Sequence, residues 1–172
     1  PTAIPLLREV QPDNATLRDS MRMDLIGALT QTGALAEARA EGEALIAEIR
    51  TRADDNGLVV AFARAALART YTLEGDTARA EIELIDAQRT IVRLLGEDHT
   101  RNLMVLSDLF DVAMKRHDWQ AAIDYARRVH EGFRARLGDE HNVSDLTLAN
   151  WGMALYESGD APAAQAKLRP AH

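Results

Sequence analysis

Two short phrases in the sequence hold the residues best suited to chemistry. Glu97, Asp98 and His99 follow Gly96, and Asp139, Glu140 and His141 follow Gly138, 42 residues later. Carboxylates beside an imidazole can ligate a divalent cation or share a proton in acid–base catalysis. A third stretch, "HEGFR" at 130–134, approaches the H-E-x-x-H pattern of zinc proteases, but Arg134 stands where the second histidine belongs, so the ligand pair is lost. A metal site needs ligands that converge. Two copies at a fixed 42-residue spacing lie side by side on successive units instead of facing each other across a pocket. Ser20, Ser107, Ser144 and Ser158 have no nucleophile context. "LGEDH" lacks the Lys-Ser/Thr ending of a phosphate loop. No catalytic residue, metal or cofactor is expected, and the chain does not read as an enzyme.

The same phrases read consistently as helix punctuation. Gly96 and Gly138 supply a left-handed residue after a helix. Thr100 and Asn142 fall at N-cap positions of the next helix. Asn142 with Asp145, and Thr16 with Asp19, approximate capping boxes. Acidic residues ahead of a helix favour its positive end. The imidazole packs in the bend or accepts a local hydrogen bond.

The elements behind this punctuation repeat. Gly33, Gly75, His117 and Gly159 are spaced by 42, with Ala38, Ala80, Ala122 and Ala164 five residues after them. Eight residues before each marker come Leu25, Leu67, Leu109 and Trp151, and sixteen after it come Ile49, Ile91 and Phe133. Each unit reads as two helices. In the third, helix A spans roughly Leu103 to Arg116 with Leu106, Leu109, Phe110 and Ala113 on one face. Helix B spans about Trp119 to Leu137 with Ala122, Ala126, Val129, Phe133 and Leu137 as its buried stripe. Neither stripe can be buried by one pair alone, so neighbouring units must stack. Period-two alternation of β-branched residues is absent, and the chain reads as all-α.

The composition agrees. Of 172 residues, 47% are hydrophobic and only 5% aromatic, enough for a core of closely packed helices. A net charge of −7 argues against direct nucleic-acid binding. There is no cysteine and hence no thiolate chemistry. No apolar run reaches the roughly 18–20 residues of a membrane span. The arginine groups Arg50-Arg52, Arg127-Arg128 and Arg134-Arg136 are expected near helix B C-termini, complementing the helix dipole. Trp151 belongs to a core column, and Trp119 is expected to cover its turn. None of this fixes a compartment.

The pattern resembles the tetratricopeptide repeat (TPR), in the 42-residue variety of kinesin light chains and of many bacterial signalling proteins. The resemblance is carried by Trp151-Gly152, Leu155-Tyr156, the Gly159-Asp160 turn, Ala164 and Leu168, and by the spacer Leu95-Gly96-Glu97-Asp98-His99. It departs at the helix A glycine, which is Ile26, Ala68 and Phe110 in the first three units, at His117, and at Gly42, which replaces a bulky helix B residue. The resemblance implies a right-handed α-solenoid, one repeat domain over 1–172 with a partial helix at 1–11 and units at about 16–56, 58–98, 100–140 and 142–172. It also implies a concave groove lined by helix A. Its inward columns supply Phe62, Arg69, Thr72, Met104, Asp108, Asp111, Lys115, Asn150, Met153 and Tyr156 as candidate partner-binding residues. Asp24, Asp108 and Asp111 stand where a clamp for a peptide carboxylate needs donors. The methionines would give an adaptable apolar floor, and Phe62 and Tyr156 anchors.

The expected role is therefore a non-catalytic protein-interaction scaffold within a larger regulatory or signalling protein. Its partner would be a peptide or protein segment carrying apolar side chains and a basic residue. The alternatives are a module sensing a small molecule in the groove, or a structural spacer. The register runs off both termini, with Leu7 in the column of Ile49 and "QPDNAT" at 11–16 in place of the spacer phrase, so a fragment of a longer protein is expected. Its apolar ends would favour end-to-end association.

Overall fold

The computed structural model describes residues 15–52, 57–138 and 141–168. The expectations for Leu7, the partial helix at 1–11, the first part of the "QPDNAT" joint (11–14), Asp139 and Glu140 lie outside them. Among the described residues there are eight α-helices and no strand. The chain forms two compact units, divided after Thr90.

The first unit contains α1 (Ala15–Gln31), α2 (Leu35–Arg50), α3 (Gly57–Glu74) and most of α4 (Thr77–Leu95). α1 packs on α2 and α3, and α2 packs on α3. Alanine makes this packing tight: Ala61, Ala63, Ala65 and Ala68 of α3 are all buried, as are Ala38 of α2 and Ala80 and Ala87 of α4. Gly42, which looks like a weak point in the sequence, is a seat. A Cβ built there would meet the Leu67 side chain at 3.0 Å. The sequence places Leu25 in the core column of α1, but the fully buried residue there is its neighbour Ile26.

The second unit contains α5 (Thr100–Lys115), α6 (Trp119–Leu137), α7 (Asn142–Glu157) and α8 (Ala161–Leu168), each packed on the next. Phe110, Ala113, Ala122, Ala126 and Ala154 form its core, with Met114, Ile123, Tyr125 and Trp151 against it. Leu106, Leu109 and Phe110 are at most 3% exposed, and burial of each such side chain contributes about 1.5–3 kcal/mol. The α6 bounds are those the periodicity predicts. Its stripe is not: Ala122, Ala126 and Val129 are buried, but His130 follows them inward, Phe133 is half-buried and Leu137 is exposed. At 3.6 residues per turn a straight helix rotates away from a strictly repeated stripe, and Phe133 and Leu137 turn with it. Gly132 lies so close to Leu103 that a Cβ would approach it to 2.5 Å, and at Gly152 the neighbour is Leu168 at 2.6 Å.

Candidate functional site: the helix joints and the helix A faces

The joint phrases resolve as caps, with a different residue in the role from the one expected. His99 has extended backbone, and its Nδ1 accepts a hydrogen bond from the Arg101 N–H at 3.1 Å. His141 does the same for the Val143 N–H at 3.2 Å. The imidazole is the N-cap, and Thr100 and Asn142 are the first helical residues. Thr16 likewise lies inside α1, and Asp19 is engaged by Arg52 instead of closing a capping box. The carboxylates of Glu97 and Asp98 face solvent while their backbone carbonyls are used: Asn102 Nδ2 donates to the first at 2.6 Å and Arg136 Nη1 to the second at 2.9 Å. Among the described residues no three His, Asp or Glu side chains converge as metal ligands. Gly138 has φ 89° and ψ 169°, which is not the left-handed helical conformation but an extended mirror region essentially restricted to glycine.

The opposite joint, inside each pair, is capped by aspartate. Asp76, Asp118 and Asp160 accept from the backbone N–H of Arg79, Ala121 and Ala163 at 3.1, 3.2 and 3.0 Å. Ala34 stands in that column of the first pair and offers no side-chain cap. His117 takes the glycine's place at φ 58°, with its ring edge-to-face on Trp119 at 5.0 Å. Trp119 thus covers the turn, as expected.

The helix A columns differ between the two units. In the second, Met104, Asp111 and Lys115 of α5 are exposed and Asp108 is half-buried. On α7, Leu146, Met153 and Tyr156 are 63%, 44% and 66% exposed, and Asn150 is half-buried. A narrow seam too tight to admit water, lined by Ser107, Phe110, Ala126, Val129, Thr147 and Asn150, brings Asn150 beside α5. In the first unit Phe62 is half-buried and Arg69 exposed. Thr72 is buried, and its hydroxyl donates to the Ala68 carbonyl of its own helix at 2.9 Å, so it presents nothing to a ligand.

Sequence reading missed a buried charge seam between α1 and α2. Arg22, 2% exposed, donates through Nε to Glu41 and through Nη1 to Glu48 at 2.6 Å. Arg52 donates to both oxygens of buried Asp19, at 2.6 and 2.9 Å, and to Glu48 at 2.9 Å. Burial pushes the Glu48 carboxyl up, but its hydrogen bonds and attraction to Arg52 and Arg22 outweigh this and hold it below the ordinary range. The pair recurs 42 residues on, where Arg64 meets Glu83 at 3.0 Å, and that recurrence was the available signal. At the same positions of the third and fourth repeats stand Leu106 with Tyr125 and Leu148 with Lys167. Lys167 Nζ lies 3.7 Å from the Trp151 ring centroid. His130, buried, meets the Ser144 carbonyl at 3.2 Å and the Thr147 hydroxyl at 3.3 Å, tying α6 to α7. Arg127 and Arg128 lie in the middle of α6, not at its end, and pair with Asp124 and, for Arg127, with Glu131.

No family model and no curated protein matches the sequence. Solved structures do match in fold. One is a Podosopora anserina chain described as a kinesin light chain with nearly identical TPR-like repeats: TM-score 0.80, 19% identity, covering 87% of this chain and 71% of that one. Another is BtubC (BKLC) from P. vanneervenii: TM-score 0.79, 22% identity, covering 96% of this chain and 66% of that one. With helices packed in sequential pairs on a 42-residue period, these likenesses give the chain an all-α fold, that of a TPR-like repeat solenoid.

Proposed function

We propose that the chain is a non-catalytic interaction scaffold that holds a partner segment on its helix A faces, as part of a larger regulatory or signalling protein. The observation that carries this is the second unit's pair of faces. α5 and α7 each bury one side, yet leave Met104, Leu146, Met153 and Tyr156 in solvent on the other. Flexible methionines beside an aromatic anchor adapt to varied apolar side chains. Asp108 and Asp111 on the same stretch of α5 favour a basic residue in the partner. In the first unit Phe62 and Arg69 are the corresponding contacts, without Thr72.

The test is a titration of peptide libraries, graded in apolar and basic content, followed by amide chemical shifts. Shifts should centre on α5 and α7. Asp108→Lys with Asp111→Lys should weaken a lysine-containing peptide by roughly tenfold or more and leave a neutral one within about twofold. Shifts absent from both helices would overturn the reading, and an unchanged affinity for the lysine peptide would overturn the charge assignment. A second surface supports self-association: a hollow of about 620 Å³ lined by Tyr156, Ala161, Pro162, Ala164, Gln165 and Leu168. Ala161→Lys should then lower the concentration-dependent mass seen in sedimentation. A mass independent of concentration in the unaltered chain would exclude this role.

A further inference from the structure

We propose that α1 is an acid-releasable helix, fastened to α2 by its buried charge seam and freed when the seam's carboxylates take up protons. The buried residues of α1 are Asp19, Arg22, Ile26 and Thr30, so a single apolar side chain is fully covered. α5, the third repeat's counterpart, buries Leu103, Val105, Leu106, Leu109, Phe110, Val112 and Ala113 beside Asn102. α1 is therefore held by charge together with Ile26 and the half-buried Met23, Leu25 and Leu29, and α5 by apolar packing.

Among the described residues the seam sets Arg18, Arg22 and Arg52 against Asp19, Glu41 and Glu48. The other charged groups of the packed helices are turned elsewhere. Asp24, Glu37 and Arg50 are exposed, Arg39 pairs with Glu74, and Glu43 accepts from Tyr71. On α3, Arg64 engages Glu83 and Asp86, and Arg69 is exposed. A proton added to Glu48 leaves the Nη1 of buried Arg22 donating to a neutral partner. A guanidinium cannot discharge, so relief comes only from water reaching it, which requires α1 to lift.

The direction follows from the carboxylates. Glu48 is held below its ordinary value of 4.5 in the folded chain, so its contribution is complete above that pH and disappears as the pH falls beneath it. Lifting α1 also breaks the Thr30–Thr70 hydroxyl bond of 2.8 Å and uncovers the α2–α3 surface that buries Ile26.

Hydrogen exchange on the whole chain, from neutral pH to about pH 3, tests this. Amide protection in α1 should fall by roughly a hundredfold or more while that of α5 changes by less than about tenfold. Parallel loss in both helices, or an α1 still protected at about pH 3, would overturn it. Arg22→Leu with Glu41→Tyr installs the residues found at these positions in the third repeat, and should move the release of α1 to lower pH. Glu48→Gln, at the seam's rim, should instead loosen α1 already at neutral pH and flatten its pH dependence. An unchanged release in Glu48→Gln would also refute the seam's role, whether or not the double variant folds.

Discussion

His117 shows how a single residue trades backbone cost against contact. A non-glycine residue with left-handed φ costs about 1–2 kcal/mol, while the edge-to-face contact with Trp119 returns about 0.5–1.5 kcal/mol. His117→Ala loses the contact and keeps the strain; His117→Gly loses both. The glycine variant should exceed the alanine variant by about 1 kcal/mol in urea unfolding, and stay within about 1 kcal/mol of the parent. The aspartate caps give a complementary comparison. Asp118→Ala should cost about 1 kcal/mol, and Ala34→Asp, supplying the cap that the first pair lacks, should gain about 0.5–1 kcal/mol. Tyr71 reports in alkali. Burial, then its hydrogen bond to Glu43, push its phenol up to about 12. A raised value means the contribution is whole below the ordinary value of 10.0 and is lost as pH rises toward about 12. Tyr71→Phe should therefore flatten the alkaline fall in stability across that interval.

Among the helices, two glycines separate propensity from packing. Alanine is favoured over glycine within a helix by about 1 kcal/mol. At Gly27 nothing lies within 4 Å of the place an added methyl would take, so Gly27→Ala should stabilise by up to about 1 kcal/mol. At Gly132 the same change drives a methyl into Leu103, and overpacking of about 1–3 kcal/mol should outweigh the propensity gain. Thermal unfolding of the two variants should shift in opposite directions. A truncation of Leu103 made together with Gly132→Ala should recover part of the loss.

Across the whole chain, the period and the marker residues were legible because they recur in several independent columns. The bounds of α6, the core residues of α5 and the turn role of Trp119 followed from them. The cap identity was not legible: histidine is an uncommon cap, and Thr100 and Asn142, one residue on, are the conventional choices. The inward turn of His130 and the outward drift of Phe133 depend on helix rotation, which column counting ignores. Thr72 fell in an inward, groove-lining column by count, but it is buried and its hydroxyl folds back onto its own helix. The charge seam was hidden by the rule that Arg, Asp and Glu belong at the surface. Only the recurrence of Arg22–Glu41 as Arg64–Glu83 could have revealed it.

The glycine seats have a genetic consequence. Leu67 fits Gly42, Leu103 fits Gly132 and Leu168 fits Gly152, while Trp151 packs on a cluster that includes Ala126. Each bulky residue has a small one waiting at its own position, and the matches differ from repeat to repeat. The four repeats look like interchangeable copies but fit like individually cut keys. Loss of the third repeat would preserve the period and still set Trp151 against Leu84, which stands one repeat before Ala126 in the same column. The junction into the fourth repeat is thereby guarded against the very slippage that repetitive sequence invites.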